Sequence, residues 1–187
     1  MEAVLEHSRG SRGVRLVQHT FNTSSVALYA SMGFEVKEPL LLTRGRPRSE
    51  TPQGVEVRPM RDQDLDACAA LCEKVYGFER NNELRDWLHI FTPYVALRAG
   101  RVVGYASAPA EWSVNHGVAE TEDDMRALLL GIGASMTDPL TFLLPVRQTS
   151  FFRWCLDCGM RIVKPMTLMA MGEYREPSGC YFTSVLF

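Results

Sequence analysis

The sequence predicts an α/β fold: a mixed central sheet flanked by helices, laid out as a partial repeat followed by one complete domain. Three observations predict it. Residues 14–43 read as strand, helix, strand. The same order returns 126 residues further along the chain (Thr23 to Thr149). Between the two copies, after a polar connector, come a strand, two helices and a hairpin.

Taken in order, residues 1–9 read as a short helix, with Met1, Val4 and Leu5 apolar and Glu2 and Glu6 outside, ended by Arg9 to Gly13. Val14 to Phe21 is a buried strand. In Asn22 to Phe34, the apolar residues Val26, Leu28, Tyr29 and Met32 recur at helical spacing. Asn22 to Ser25 offer side-chain oxygens to cap the free N–H groups of the helix start. Gly33 stops the helix, because only glycine enters the left-handed region cheaply. Glu35 to Thr43 is extended. Residues 44–54 hold no apolar side chain except the proline rings, which predicts a linker whose basic cluster Arg44, Arg46 and Arg48 is solvated.

Val55 to Met60 alternates like a strand. Asp62, Asp64 and Asp66 stand where a helix begins, suiting the positive end of its dipole. Leu65, Cys68, Ala69, Cys72 and Val75 form that helix's apolar stripe. Asn81 to Phe91 is a second helix, with Leu84, Trp87, Leu88 and Phe91 inward. Pro93 to Arg98 and Val102 to Ser107 form a hairpin around Ala99 to Arg101. Ser113 to Glu120 is a fourth strand. A helix capped by Thr121 runs to Leu130, with Gly131 and Gly133 as its stop. Leu140 to Val146 is a strand, Thr149 to Cys158 a helix stopped by Gly159, and Arg161 to Met171 a long strand. The apolar tail to Phe187 adds an edge strand.

The two copies align without a gap over 22–44 and 148–170. Thr23 meets Thr149, Ser24 meets Ser150, Gly33 meets Gly159, Pro39 meets Pro165 and Leu42 meets Leu168. In the same alignment Cys155 stands opposite Tyr29. The division expected is therefore 1–43 as the closing half of one domain, 44–54 as linker and 55–187 as a complete second domain.

The helix with Leu28, Tyr29, Gly33 and Phe34 resembles the "L-Y-x-x-x-G-F" of the GNAT acetyltransferase superfamily, in which an Asn opens this helix. Val55-Glu-Val-Arg-Pro59, Asp64-Leu-Asp66 and Ala99-Gly-Arg-Val-Val-Gly-Tyr-Ala106 resemble phrases from the opening half of the same fold. The resemblance implies an N-acetyltransferase that moves an acetyl group from the co-substrate acetyl-CoA to a small-molecule amine. It implies Tyr29 as the acid that protonates the departing thiolate, with Asn22 and Ser25 lining the cofactor cleft. A phenol stays protonated at neutral pH and can fill that role. The amine would attack the thioester directly.

In this superfamily the cofactor's pyrophosphate lies on a strand–loop–helix junction, where a glycine-rich loop brings backbone N–H groups to the phosphates. In the first unit the device would precede Met1, so the resemblance implies a first domain truncated at its N-terminus. In the second unit it falls near 115–122, followed by acids: Glu120, Glu122, Asp123 and Asp124 are four carboxylates that would repel a pyrophosphate. The second unit is thus expected to have a degenerate cofactor loop, and acetyl-CoA binding by this chain is expected to be weak. The alternative reading is a catalytically inactive GNAT-fold module for binding or dimerisation. The strand 14–21 is then an open sheet edge that pairs with a second copy, or with a segment upstream of it.

Other residues could carry chemistry. His116 reads as a surface or edge histidine, with general base as its alternative; His19 ends a strand, with a place facing the cleft as its alternative; Glu111 and Trp112 stand where a substrate wall would be, with nothing in the sequence to fix their role. Five cysteines, an odd number without a secretion signal, predict reduced thiols in a cytoplasmic protein. Cys68 with Cys72, and Cys155 with Cys158, sit among apolar residues and read as core thiols, not zinc ligands. A net charge of −2 with no basic block argues against nucleic acid. No apolar run is long enough to span a bilayer.

Overall fold

The computed structural model describes residues 6, 8, 10–48 and 52–186. The expected helix over 1–9 lies largely outside the described residues. A first unit holds β1 (Gly13–His19), α1 (Thr23–Ser31) and β2 (Glu35–Gly45). The second opens with β3 (Val55–Pro59), a single turn at Asp62–Asp64, α2 (Leu65–Tyr76), α3 (Asn81–Ile90) and the hairpin β4 (Tyr94–Arg98) and β5 (Arg101–Ala106). It continues with β6 (Gly117–Ala119), α4 (Glu122–Ser135), β7 (Leu140–Pro145), α5 (Thr149–Asp157), β8 (Arg161–Gly172) and β9 (Cys180–Phe182).

Local chemistry sets most boundaries. Asn22 caps α1, and Gly33 leaves it at φ +95°. Gly77 ends α2 in the left-handed region. At the turn into α2, the buried Asp64 carboxylate accepts two hydrogen bonds from the Arg58 guanidinium (2.7 and 2.9 Å) and one from the Arg61 N–H (2.8 Å). These bonds hold the Asp64 carboxyl below its ordinary range.

The repeat is visible in the elements themselves. Helices α1 and α5 are nine residues each and start at 23 and 149; β2 and β8 start at 35 and 161. One sheet has the order β1-β8-β2-β7, every ladder antiparallel. The two units have therefore exchanged their last strands: β8 of the second pairs with β1 of the first, and β2 pairs with β7. Matching bonds seal the exchange, with Thr20 N–H on the Pro165 carbonyl (3.4 Å) and Val146 N–H on the Pro39 carbonyl (3.1 Å). β1 forms one outer edge of this sheet.

The other sheet has the order β3-β4-β5-β6-β9, also antiparallel throughout. On one face α2 and α3 bury Cys68, Cys72, Leu84 and Tyr105; on the other α4 buries Met125, Leu128, Leu129 and Ile132. An antiparallel bridge between Leu143 and Thr183 joins the two sheets beside the tail. β6 and β7 thus run parallel to each other with the tail between them. The tail adds the outermost strand of this sheet, but a covered one: Cys180 to Ser184 are buried, with Phe182 and Ser184 fully so.

Three further expectations change, and α1 differs from its counterpart. α4 does not stop at Gly131 but runs to Ser135, because its glycines answer to packing: a Cβ at Gly131 would lie 2.4 Å from the Val57 Cβ, and one at Gly133 3.1 Å from Pro47 Cδ. The linker starts later, since Arg44 and Gly45 complete β2 opposite Thr141 and Leu140. Its next residues lie on the body: Pro47 is buried, Arg46 donates to the Thr137 carbonyl, and Arg48 N–H binds the Cys158 carbonyl at 3.3 Å. Strand β6 shrinks to three residues because Asn115 turns the chain, accepting from Ala108 N–H (3.1 Å) and donating to the Thr141 carbonyl (2.8 Å). Finally, α1 buries none of its residues fully, and Leu28 is 53% exposed, whereas α5 buries Phe151 and Cys155.

Candidate functional site

Helix α1 carries the three residues singled out in the first unit. The Asn22 Oδ1 accepts the Ser25 N–H at 3.2 Å, which commits that oxygen to the helix start. Tyr29 lies one turn beyond Ser25 on the same side of the helix. It is half-buried, its ring meeting Phe34 edge-on with centroids 6.1 Å apart. At the end of β1, Thr20 and Thr167 share a hydroxyl hydrogen bond of 2.8 Å. Gln18, opposite Thr167 in the ladder, is 6% exposed, and neither atom of its carboxamide has a hydrogen-bond partner. Gln18 went unread in the sequence; its signal was a carboxamide in a strand read as buried, opposite Leu144 in the repeat. His19 lies 3.5 Å from the Lys164 ammonium, which sits over the Trp112 ring at 5.0 Å. Glu111 and Trp112 line a separate cavity of about 500 Å³ with Leu42, Arg44, Thr141 and Val163.

In the second unit the strand–loop–helix junction expected for a pyrophosphate is the one from β6 to α4. Its helix start is already capped. The Thr121 hydroxyl accepts the Asp124 N–H (3.1 Å) and donates to the Asp124 carboxylate (2.6 Å). Arg98 closes on the same buried carboxylate at 2.7 Å. Glu122 and Asp123 complete the first turn and pair with Arg126. Glu120 faces Arg101 at 2.6 Å, and that hydrogen bond holds its carboxyl below the ordinary range. A cavity of about 430 Å³ lies there, walled by Glu120, Glu122, Gln148, Ser150, Gly179 and Cys180. A pyrophosphate at this helix start would meet carboxylates where it needs free N–H groups, so these residues do not fit acetyl-CoA.

The tail closes what remains. Gly117, Val118 and Ala119 pair with Phe182, Tyr181 and Cys180. Gln148, the residue opposite Asn22 in the repeat, takes both backbone groups of Tyr181: its Oε1 accepts the N–H at 3.1 Å and its Nε2 donates to the carbonyl at 2.5 Å. The Thr183 N–H reaches the Leu143 carbonyl (3.2 Å), and the Val185 N–H reaches the Ser113 carbonyl (2.8 Å). Arg147 joins Glu38, Glu176 and the Tyr181 hydroxyl.

His116 is neither a surface nor an edge residue. It is fully buried between Trp87 and Tyr105, with Nε2 at 3.1 Å from the Tyr105 hydroxyl. Burial, and then the charge of Arg80, push its pKa down, so it stays neutral. All five cysteines are buried free thiols, and burial raises them, Cys180 to about 12. Cys155, opposite Tyr29, is among those raised. Among the described residues no cluster of metal-ligating side chains occurs, and no helix is long and apolar enough to cross a membrane.

The sequence matches no family model and no curated protein. Solved structures do match. A proposed acetyltransferase from Pyrococcus horikoshii superposes with a TM-score of 0.75 at 14% identity, over 100% of this chain and 63% of its own. A GCN5-related N-acetyltransferase from Sphaerobacter thermophilus superposes at 0.55 with 13% identity, over 88% and 61%. One from Anabaena variabilis gives 0.56 with 12% identity, over 90% and 48%. The chain has the GNAT fold, and it spans less than two thirds of the length of these proteins.

Proposed function

We propose that the chain serves acetyl transfer from acetyl-CoA to an amine through its first unit, with Tyr29 as the proton donor and the second unit as a non-catalytic partner. One observation carries this reading. The repeat keeps a half-buried phenol at position 29 in one copy and a fully buried thiol, its pKa raised by that burial, at position 155 in the other. Proton donation to a leaving thiolate needs an accessible acid, and only the first copy has one at this position. Acetyl-CoA would supply the activated acetyl thioester. Gln18, with its unpartnered carboxamide, and the polar residues Asn22 and Ser25 are the groups that would hold it. The exchanged strands let the second unit fix the platform under α1, which is the role we assign to residues 55–187. Residues 13–45, which match the last three elements of the repeat in that unit, are in this reading the closing part of a further GNAT-like unit. Unpaired thiols suit a reducing, cytoplasmic setting.

The test is thiol release from acetyl-CoA at millimolar concentration with a panel of small amines. Turnover is expected, and Tyr29→Phe is expected to lower kcat by about 10²–10⁴-fold with little change in KM. Turnover unaffected by Tyr29→Phe would remove the acid from Tyr29. Absence of turnover would favour the second reading, a GNAT-fold binding module, for which the closed second cleft speaks.

A further inference from the structure

The tail bears on a question separate from catalysis at Tyr29. A ligand anchored at the start of α4 has one way to extend into the sheet, along the gap between the parallel strands β6 and β7. That gap holds Cys180 to Ser184. We infer that the C-terminal segment is an intramolecular ligand: an extended peptide that permanently occupies, in cis, the groove of the second unit, read through its backbone by the Gln148 carboxamide.

The contacts have the character of peptide recognition and not of a loose lid. A carboxamide presents one donor and one acceptor in a plane, which complements one backbone N–H and one backbone carbonyl. Gln148 uses both on a single tail residue, Tyr181. The flanking residues bond to strands on either side, to Gly117–Ala119 of β6 and to Leu143 of β7, as in strand addition. Side chains lock the register. Phe182 packs on Phe142 with centroids 4.8 Å apart, Tyr181 meets Tyr76 edge-on at 5.4 Å, and the Tyr76 hydroxyl donates to the Phe182 carbonyl at 3.1 Å. Beyond the strand, Arg80 donates to Ser184 Oγ (3.2 Å) and to the Leu186 carbonyl (2.6 Å).

Two features commit the groove to this occupant. Gly117 offers no Cβ, and the tip of the Phe182 ring fills that space, where an added Cβ would lie 2.3 Å away. Parallel neighbours β6 and β7 each present an edge to the gap, and the tail pairs in a ladder with β6 and bridges to β7 at Leu143. The groove therefore takes a polypeptide strand where a mixed sheet would leave room for a small extended ligand, and the second unit cannot exchange that strand for acetyl-CoA without opening its core.

Backbone hydrogen exchange on the whole chain tests this. The amides of Tyr181 and Thr183 are expected to exchange as slowly as those of β7, within about tenfold, because both open only with the core. Millimolar acetyl-CoA is expected not to speed exchange at the tail and to leave its ratio to β7 unchanged. Gln148→Leu is expected to speed exchange at Tyr181 selectively and to leave β2 and β8 protected. Tail amides that exchange about a hundredfold or more faster than β7 would overturn the inference, as would faster exchange in them on adding acetyl-CoA. An unaltered Tyr181 amide in Gln148→Leu would remove Gln148 from the recognition. None of these readings depends on turnover, so failure here and failure of the catalytic proposal are separable.

Discussion

Replacing Gly117 by alanine puts a number on how tightly the tail is held. The added Cβ would lie 2.3 Å from Phe182 Cζ and 2.7 and 2.8 Å from Cε1 and Cε2. Carbon atoms prefer about 3.5–4.0 Å, so the ring must retreat by roughly 1.2 Å. It has no free side to retreat to: Phe182 is fully buried on Phe142, which is itself fully buried and stacks on Phe151 at 6.3 Å. Overpacking of this kind costs about 1–3 kcal/mol. Against it, losing a strand glycine returns about 0.5–1 kcal/mol of backbone entropy. The net expectation is a loss of about 1–2 kcal/mol, read as a lower urea midpoint at constant slope. Phe182→Leu removes the ring tip, so Gly117→Ala in that background should cost less by about 1 kcal/mol. A neutral or stabilising Gly117→Ala, or an equal cost in both backgrounds, would refute the placement of Phe182 over Gly117.

Other expectations follow from the same contacts. Gly131→Ala should destabilise despite lying in a helix, because a Cβ 2.4 Å from Val57 costs about 1–3 kcal/mol against a propensity gain of about 1; Gly133→Ala should be close to neutral, and a raised melting temperature for Gly131→Ala would contradict the packing. Gln18→Leu, which installs the residue found opposite it in the repeat, should stabilise by about 1–3 kcal/mol by removing an unpaired buried amide, while lowering turnover; a loss of stability would show that Gln18 is paired. Stability should fall as pH drops below the ordinary histidine range, because His116 is held neutral in the folded chain and takes up a proton only on unfolding. The slope is at most about 1.4 kcal/mol per pH unit. Glu83, 3.9 Å from the His116 ring and raised by burial, acts with the opposite sign as its own carboxylate protonates. The His116→Gln difference isolates the histidine, and an identical pH profile in that variant would contradict the assignment.

What the sequence made legible was what neighbours in the chain decide. Asn22 over Ser25, Gly33 and Gly159 in the left-handed region, and the alternation of Val55 to Pro59 are local, and each element they predict is present. The 126-residue offset was legible for the same reason, since it rests on matching punctuation more than on identity. The exchange of β2 and β8 was not, because pairing partners lie more than a hundred residues apart and an apolar strand does not name its neighbour. Gly131 looked like a stop because its cause, Val57, arrives from another element. Likewise Cys180 to Phe182 reads identically as an exposed or a covered edge strand, and His116 as surface or core, until Trp87, Tyr105 and the β6–β7 gap are in place. At the candidate site the cap and Tyr29 were visible, whereas Gln18 needed the ladder to show that its amide is buried without a partner.

The measurement that bears most directly on the central claim is calorimetric titration of acetyl-CoA into the 187-residue chain. Carboxylates at the start of α4 and the tail in the β6–β7 groove predict no saturable binding at micromolar concentration. A saturating isotherm in that range that persists in Gln18→Leu and Tyr29→Phe, and so does not arise in the first unit, would contradict the account of a second unit closed to the cofactor.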